Sequence, residues 1–314
     1  MRRALAADFA CLEGARVVVT LDPRCRDEPG PWTHVAVGPG EEPETLTRLS
    51  AQADYTVLIA PETGGILADR ARQVAEAGGR SLGATPDAID RTADKWGFQH
   101  WLTERGIATP TGRLVRPPEG LPRAVPYPAV LKPVDGAGSI DTYFVSEAGS
   151  CPEPARALAL ALLQPWIEGT PMSASYLVGP DGRARLVGVG RQRVNVVAGR
   201  FVYRGGTIPA ARATAAGDPR RAVESVPGLL GFVGVDYVWD GSARRAVVLE
   251  VNPRPTTSVV GLVRLLPAGA LARAWLDVFE HRGGEELAGA VHAREPLDFE
   301  ADGLIRPRGK RGVA

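Results

Sequence analysis

Short apolar runs alternate with amphipathic stretches through the first third of the chain. Leu5, Phe9 and Leu12 recur at spacings of four and three, so residues 2–12 read as a helix. Arg16–Leu21 (RVVVTL) is a β-branched run expected to form a buried strand, and Tyr55–Ala60 (YTVLIA) a second. Gly65–Gly78 carries helical spacing that Gly78-Gly79 ends. Strands alternating with helices predict an α/β layer with a parallel sheet, closing near Asp87. Such units open with a strand and a turn, whereas this sequence opens in the following helix. Either that strand is missing or the true start lies upstream; both readings stay open.

The pattern then changes. A helix is expected over Thr92–Gly106, followed by the Pro/Gly-rich connector Pro110–Pro128. Strand Ala129–Pro133 (AVLKP) enters a glycine loop, and Leu158–Leu163 leads into a hinge-like Gln164-Pro165-Trp166-Ile167. Ala174–Val178, Ala184–Val189, Arg200–Tyr203, Val233–Trp239 and Ala246–Val251 read as strands. The pairs Asp181-Gly182 and Asp240-Gly241 favour hairpins between them. Helix Ala268–Glu280 completes an α+β unit. From Arg282 onward periodicity fades and Arg306–Arg311 is basic, so residues 283–314 are expected to be a mobile tail.

Composition narrows the functional classes. The 314 residues carry 37 Lys+Arg against 36 Asp+Glu, a formal charge of +1. That balance supplies no broad attraction to nucleic acid or to a membrane surface. The apolar runs fall short of the ~20 residues a membrane helix needs, and the opening stretch, interrupted at Asp8 and Glu13, lacks a signal peptide's apolar centre. Cys11, Cys25 and Cys151 form no C-x-x-C pair, which reads as reduced thiols without a disulfide framework or zinc site. A cytoplasmic protein is expected.

Two stretches carry chemistry. In Leu249-Glu250-Val251-Asn252-Pro253-Arg254, Glu250 and Asn252 sit two apart on a strand and so share a face. Asp236, fourteen residues before Glu250, lies on the preceding strand across the turn at Asp240–Ser242. Antiparallel pairing there brings two carboxylates and an amide oxygen together, a hard-oxygen set suited to Mg²⁺ shared with phosphates. A partly exposed face of solvated acids would show the same pattern, so both readings stand. The second stretch is Lys132-Pro133 followed by Asp135-Gly136-Ala137-Gly138-Ser139. A lysine late in a buried strand is costly unless its ammonium meets an anion, and the glycines free backbone N–H groups to turn toward phosphate. The order is not that of a P-loop; an edge-strand lysine before a flexible turn is the plainer alternative.

Taken in order, Asp94-Lys95 at a helix start, Lys132-Pro133, the hinge, Gly234-Val235-Asp236 and Glu250-Val251-Asn252-Pro253-Arg254 resemble the ATP-grasp superfamily over residues 55–265. Ile59-Ala60-Pro61-Glu62, Gly190-Arg191-Gln192-Arg193, Tyr203-Arg204-Gly205-Gly206 and Glu250–Gly261 are similar to ATP-grasp ligases of the tyramine–glutamate ligase type, which act in methanofuran and methylofuran biosynthesis. The resemblance implies an ATP-grasp fold, α/β and α+β. Its parts would be an N-terminal parallel-sheet domain over 1–88 (its first strand either missing or upstream), a central and lid subdomain over 89–167, and an antiparallel-sheet subdomain over 168–282 carrying a metal site.

It also implies roles. Lys95 and Lys132 would hold ATP phosphates under a loop of Gly136, Gly138 and Ser139. Gln164 and Ile167 would meet adenine through the backbone, Trp166 would cover it, and Glu168 would be the acid nearest the ribose. Asp236, Glu250 and Asn252 would bind Mg²⁺, with Mn²⁺ as a substitute. Arg254 would face the transferred phosphoryl group, and Arg191 and Tyr203 the acceptor. The implied activity joins a small-molecule carboxylate to an amine, as monomer or homodimer. A kinase or carboxylase on the same scaffold, or a non-catalytic nucleotide-binding subunit, are the alternatives. Gln164 stands where many relatives have Glu, and Gly169–Ser173 lacks their ribose-contacting acid.

Overall fold

The computed structural model describes residues 1–306 except 26–28, 137, 139, 216 and 285. Helix α1 (Arg2–Ala10) precedes a short parallel pair, β1 (Val18–Leu21) and β2 (Thr33–Ala36), and helices α2 (Glu42–Ser50) and α3 (Ile66–Glu76) follow. Tyr55–Ala60, expected as a strand, is not one. Its sole ladder contact among the described residues is a parallel bridge from Thr56 to Ser81, too little to define a strand. The single helix expected over Thr92–Gly106 is two elements. Helix α4 (Pro86–Ala93) ends at Asp94, whose extended backbone breaks the run, and α5 (Lys95–Glu104) restarts there. Asp94 caps α5 by accepting from the N–H groups of Trp96 and Gly97, both at 3.1 Å.

The rest is one large sheet. Its strands are β3 (Arg113–Val115), β4 (Ala129–Pro133), β5 (Tyr143–Val145), β6 (Ala161–Pro165), β7 (Thr170–Val178), β8 (Ala184–Val197) and β9 (Arg200–Ile208), then helix α6 (Asp218–Glu224), β10 (Gly231–Asp240) and β11 (Arg245–Asn252). Helices α7 (Val259–Leu265), α8 (Ala270–Phe279) and α9 (Ala288–His292) and strands β12 (Leu297–Phe299) and β13 (Ile305–Arg306) close the chain's described part. Strand order is β11-β10-β7-β8-β9-β5-β4-β6-β3, with β12 pairing β9 and β13.

Period-two alternation sends each strand's apolar residues to two cores. Val233, Val235 and Tyr237 of β10 pack with Met172, Ala174 and Tyr176 of β7 under α3 to α6. Phe232, Leu177 and Val187 face the other way, under α7, α8 and Leu5 of α1. Asp8 of α1 ties that layer together, accepting from Gly269 N at 2.8 Å and Ala272 N at 2.7 Å at the start of α8. A third cluster lines β3 to β6 around Leu131, Leu163 and Tyr143.

The tail expected from residue 283 is folded as far as the description reaches. Helix α9 packs Ala288 and Val291 inward, and β12 adds to β9 with Asp298 opposite Thr207. Arg193 clamps it, donating to Phe299 O at 2.9 Å and facing Glu300 at 3.3 Å. The basic end, 307–314, lies outside the described residues. No single described helix is long and apolar enough to cross a membrane; α7 and α8 pass such a test only together, at a bend of 109°, and both pack into the core.

Candidate active site

The β10–β11 hairpin forms as its spacing predicts, with Asp236 opposite Glu250 and Gly234 opposite Asn252. Ladder partners share a face, so all three polar side chains continue the face that carries Phe232 and Leu177. Along that face the cover thins out. The Phe232 row lies under α7 and α8. The next row, Gly234 and Ser175, is roofed by the turn before α7, where Ser258 Oγ meets Ser175 Oγ at 3.1 Å. Gly234 has to be glycine, because a Cβ there would stand 2.4 Å from Thr256 Cγ2. The third row, Asp236 with Ser173 and Gly190, is where the site begins.

The same face runs across the sheet to the glycine loop. From β11 to β4 is six strand steps, which in a flat sheet would span roughly 29 Å at ~4.8 Å each. Yet Lys132 of β4 feels the charges of both Glu250 and Asp236. The sheet is therefore curled into a trough, with β4 facing β10 and β11 across it.

Helix α5 supplies the third wall. Lys95 Nζ reaches Glu250 Oε1 at 2.9 Å and also donates to Gly136 O in the glycine loop. Its own N–H donates to Val134 O at 3.1 Å, so the start of α5 is tied to that loop twice. Gly138 adopts a left-handed φ of 65°, with open space where a Cβ would sit. Ser139 lies outside the described residues.

Lys132 is 9 % exposed, and its side chain makes no hydrogen bond or ion pair among the described residues. Burial, then the like charge of Lys95, pulls its pKa down to about 8. Asp236 is pushed up to about 7 by burial and by Glu250, although Gln192 Nε2 at 2.7 Å and Asn252 Nδ2 at 3.2 Å donate to its two oxygens. Burial would also raise Glu250, but Lys95 and Lys132 outweigh it and hold that carboxylate below its usual range. Tyr203 lies on the same face, its hydroxyl pKa raised by burial and by Asp236. Arg254 pairs with Glu62 at 2.9 Å.

Not every expected residue joins this cluster. Arg191 pairs with Met172, neighbour of Ser173, so it projects from the opposite face and is exposed. The strand's alternation therefore gives the polar position to Gln192 instead. The Gln164 side chain is buried against Gln99 Oε1 (3.0 Å) and Pro110 O (2.8 Å) rather than open to the trough. Trp166 packs edge-on to Phe144 and stacks on Phe201 at 5.8 Å, and its backbone N–H donates to Pro128 O at 2.9 Å. Ile167 is half-buried and Glu168 exposed, in the short link between β6 and β7. Gln192 and Glu62 are the site residues that spacing did not single out. Gln192 is one place from Arg191, and Glu62 is 192 positions from its partner.

Among the described residues no three His, Cys, Asp or Glu side chains group as a metal site. A cation here would rest on two carboxylates and the Asn252 amide, completed by oxygens from outside the protein.

Comparison with known proteins agrees with this architecture. The pre ATP-grasp 3 domain matches residues 15–89 and the ATP-grasp domain residues 92–258. Tyramine–L-glutamate ligase of Methanocaldococcus fervens is 26% identical over 212 residues, 67% of this chain and 61% of that protein; the chain thus spans about three-fifths of that relative. An ATP-grasp superfamily protein from Archaeoglobus fulgidus superposes with a TM-score of 0.58 at 23% identity, covering 85% of this chain and 75% of that one. An L-amino acid ligase from Bacillus licheniformis does so at 0.60 and 17%, covering 94% and 72%. The domain match runs from the end of α4, just ahead of Lys95, to the turn that roofs Gly234, more than half the chain, and this protein belongs to the ATP-grasp family.

Proposed function

We propose that the protein is an ATP-dependent carboxylate–amine ligase that works through an acyl phosphate. The observation that carries this reading is Lys132, a buried lysine whose side chain has no partner among the described residues, set across the trough from Asp236 and Glu250. An ammonium so placed is costly to the fold and is explained by an anion that binds there.

The residues fit MgATP by their chemistry. Lys95 and Lys132 receive phosphate oxygens beside the glycine loop, and Asp236, Glu250 and Asn252 offer only hard oxygen ligands to a divalent cation. Mg²⁺, or Mn²⁺ in its place, supplies charge neutralisation on the phosphates. Lys95 now pairs with Glu250, so nucleotide binding exchanges that partner for phosphate and frees the carboxylate. Adenine would lie along the trough beside the β6–β7 link near Trp166 and Ile167, with Glu168 toward the ribose.

A substrate carboxylate attacks the γ-phosphorus, ADP departs, and an amine displaces phosphate from the acyl carbon to leave an amide. Phosphorylation matters because oxide is a hopeless leaving group and phosphate a good one. Arg254 stabilises the transferring phosphoryl group through its planar fork. Tyr203, on the trough face, is the acceptor-side candidate. Arg191 lacks that geometry.

The similarity to tyramine–L-glutamate ligase makes glutamate with tyramine the first pair to try. The test is ADP release across acid–amine pairs. A ligase sustains ADP release over many turnovers only when both are present, because without the amine the acyl phosphate holds the site. ADP formation with an acid alone marks a kinase, bicarbonate dependence marks a carboxylase, and binding without turnover marks a non-catalytic subunit.

A further inference from the structure

Arg254 is fixed at its backbone and guided at its tip by a residue from outside the ATP-grasp segment. Pro253 and Pro255 flank it, each locking its own φ, so the side chain is what remains to be oriented. Its Nη2 meets Glu62 Oε2 at 2.9 Å; the Glu62 side chain is buried at 7% exposed and that of Arg254 partly buried at 14%. Among the described residues, its Nη1 has a single 3.4 Å contact, to Pro255 O, and its Nε and Glu62 Oε1 are buried without hydrogen-bond partners. The pair therefore holds by one strong bond.

Glu62 itself is rigidly placed. It ends the segment that follows the Thr56 bridge and opens a tight turn in which Gly64 and Gly65 both take left-handed φ, 64° and 74°. Gly65 N donates to Glu62 O and Leu67 N to Pro61 O, each at 3.1 Å. The turn is stitched to the phosphate side, since Gly64 N donates to Asp135 Oδ2 at 3.2 Å.

The electrostatics give the pair a purpose. Arg254 follows Asn252 by two residues and its positive charge is felt at both Asp236 and Glu250, yet the ion pair it makes is with Glu62. A guanidinium left without Glu62 would turn toward those two acids, which a divalent cation needs.

Resting on the ligase reading above, we propose that Glu62 is a positioning residue: it holds Arg254 off Asp236 and Glu250 and presents it to the transferring phosphoryl group. The N-terminal unit thereby takes part in the phosphoryl step through one carboxylate.

The experiment compares wild type, Glu62→Gln, Arg254→Ala and the double variant, reading kcat, KM for ATP and the Mg²⁺ concentration giving half-maximal rate. Glu62→Gln keeps the shape and removes the charge. It should lower kcat roughly 10- to 100-fold, the scale of a misplaced catalytic group. The Mg²⁺ requirement should rise, with KM for ATP and thermal midpoint little changed. In the Arg254→Ala background the same substitution should add nothing further, because its effect passes through the arginine. A Glu62→Gln enzyme with wild-type kcat and Mg²⁺ dependence overturns the proposal, and so does an equal loss in both backgrounds.

If wild type releases no ADP with any acid–amine pair, the ligase reading fails while the role of Glu62 is still decided. The Arg254 Nε–H resonance, assigned by its loss in Arg254→Lys, should shift or broaden in Glu62→Gln. An unmoved resonance overturns the role.

Discussion

Asp236 stands directly opposite Glu250 in the β10–β11 ladder, with both Asp236 oxygens accepting from amides. Two carboxylates so close cannot both ionise freely in a buried place, and the strain falls on Asp236, pushed up to about 7, while Lys95 and Lys132 keep Glu250 charged.

A pH profile follows. Asp236 has a raised pKa, so it carries the charge a metal ligand needs only above about 7. Lys132 has a lowered one, so it carries its charge only below about 8. The kcat/KM for ATP, which reports the free enzyme, should be a narrow bell between those limbs. Lys132→Arg should extend the alkaline limb, since arginine stays protonated. A flat profile from about pH 6 to 9 would count against both assignments.

Lys132 trades stability for binding. Its pKa falls from 10.5 to about 8, so the folded state disfavours the ammonium. Lys132→Met should stabilise the protein at neutral pH by roughly 2–3 kcal/mol in denaturant titrations. The gain should shrink as pH rises above about 8, because there the folded wild type loses its proton before the unfolded chain does. The same variant should bind ATP at least roughly tenfold more weakly by calorimetry. A destabilised variant with unchanged ATP affinity would make Lys132 an ordinary core residue.

The β-rich half was legible because it rests on local rules. Alternation placed Asp236, Glu250 and Asn252 on one face, and Asp240-Gly241 joined their strands, so register followed from the turn. Other parts rest on partners far along the chain. Tyr55–Ala60 has strand composition, yet among the described residues its ladder pairing stops at the bridge from Thr56 to Ser81. The motif Asp94-Lys95 does mark a helix start, as α5 shows, but the helix-compatible run around it conceals the separate helix α4 that ends at Ala93. Strand β12 is three residues long, below any periodicity, and is held by Arg193 from over 100 positions away. The Glu62–Arg254 pair leaves no local trace. Arg191 was misplaced by a single step, since alternation sends Gln192 to the site.

The Arg193 clamp can be checked separately. Arg193→Ala removes donors to Gly206 O, Arg204 O and Phe299 O and the facing charges of Asp298 and Glu300. It should cost about 1–3 kcal/mol and speed amide exchange at Leu297–Phe299 while α5 stays protected. Unchanged exchange there would mean β12 is held by its ladder and apolar residues alone.

The central claim is that Asp236, Glu250 and Asn252 hold a divalent cation together with ATP. Calorimetric titration of ATP, with and without Mg²⁺, into wild type and Glu250→Gln tests it most directly. The account predicts that Mg²⁺ tightens ATP binding to wild type, that Glu250→Gln abolishes this gain, and that the variant keeps its folded circular dichroism spectrum. Equal Mg²⁺ enhancement in both proteins would contradict it.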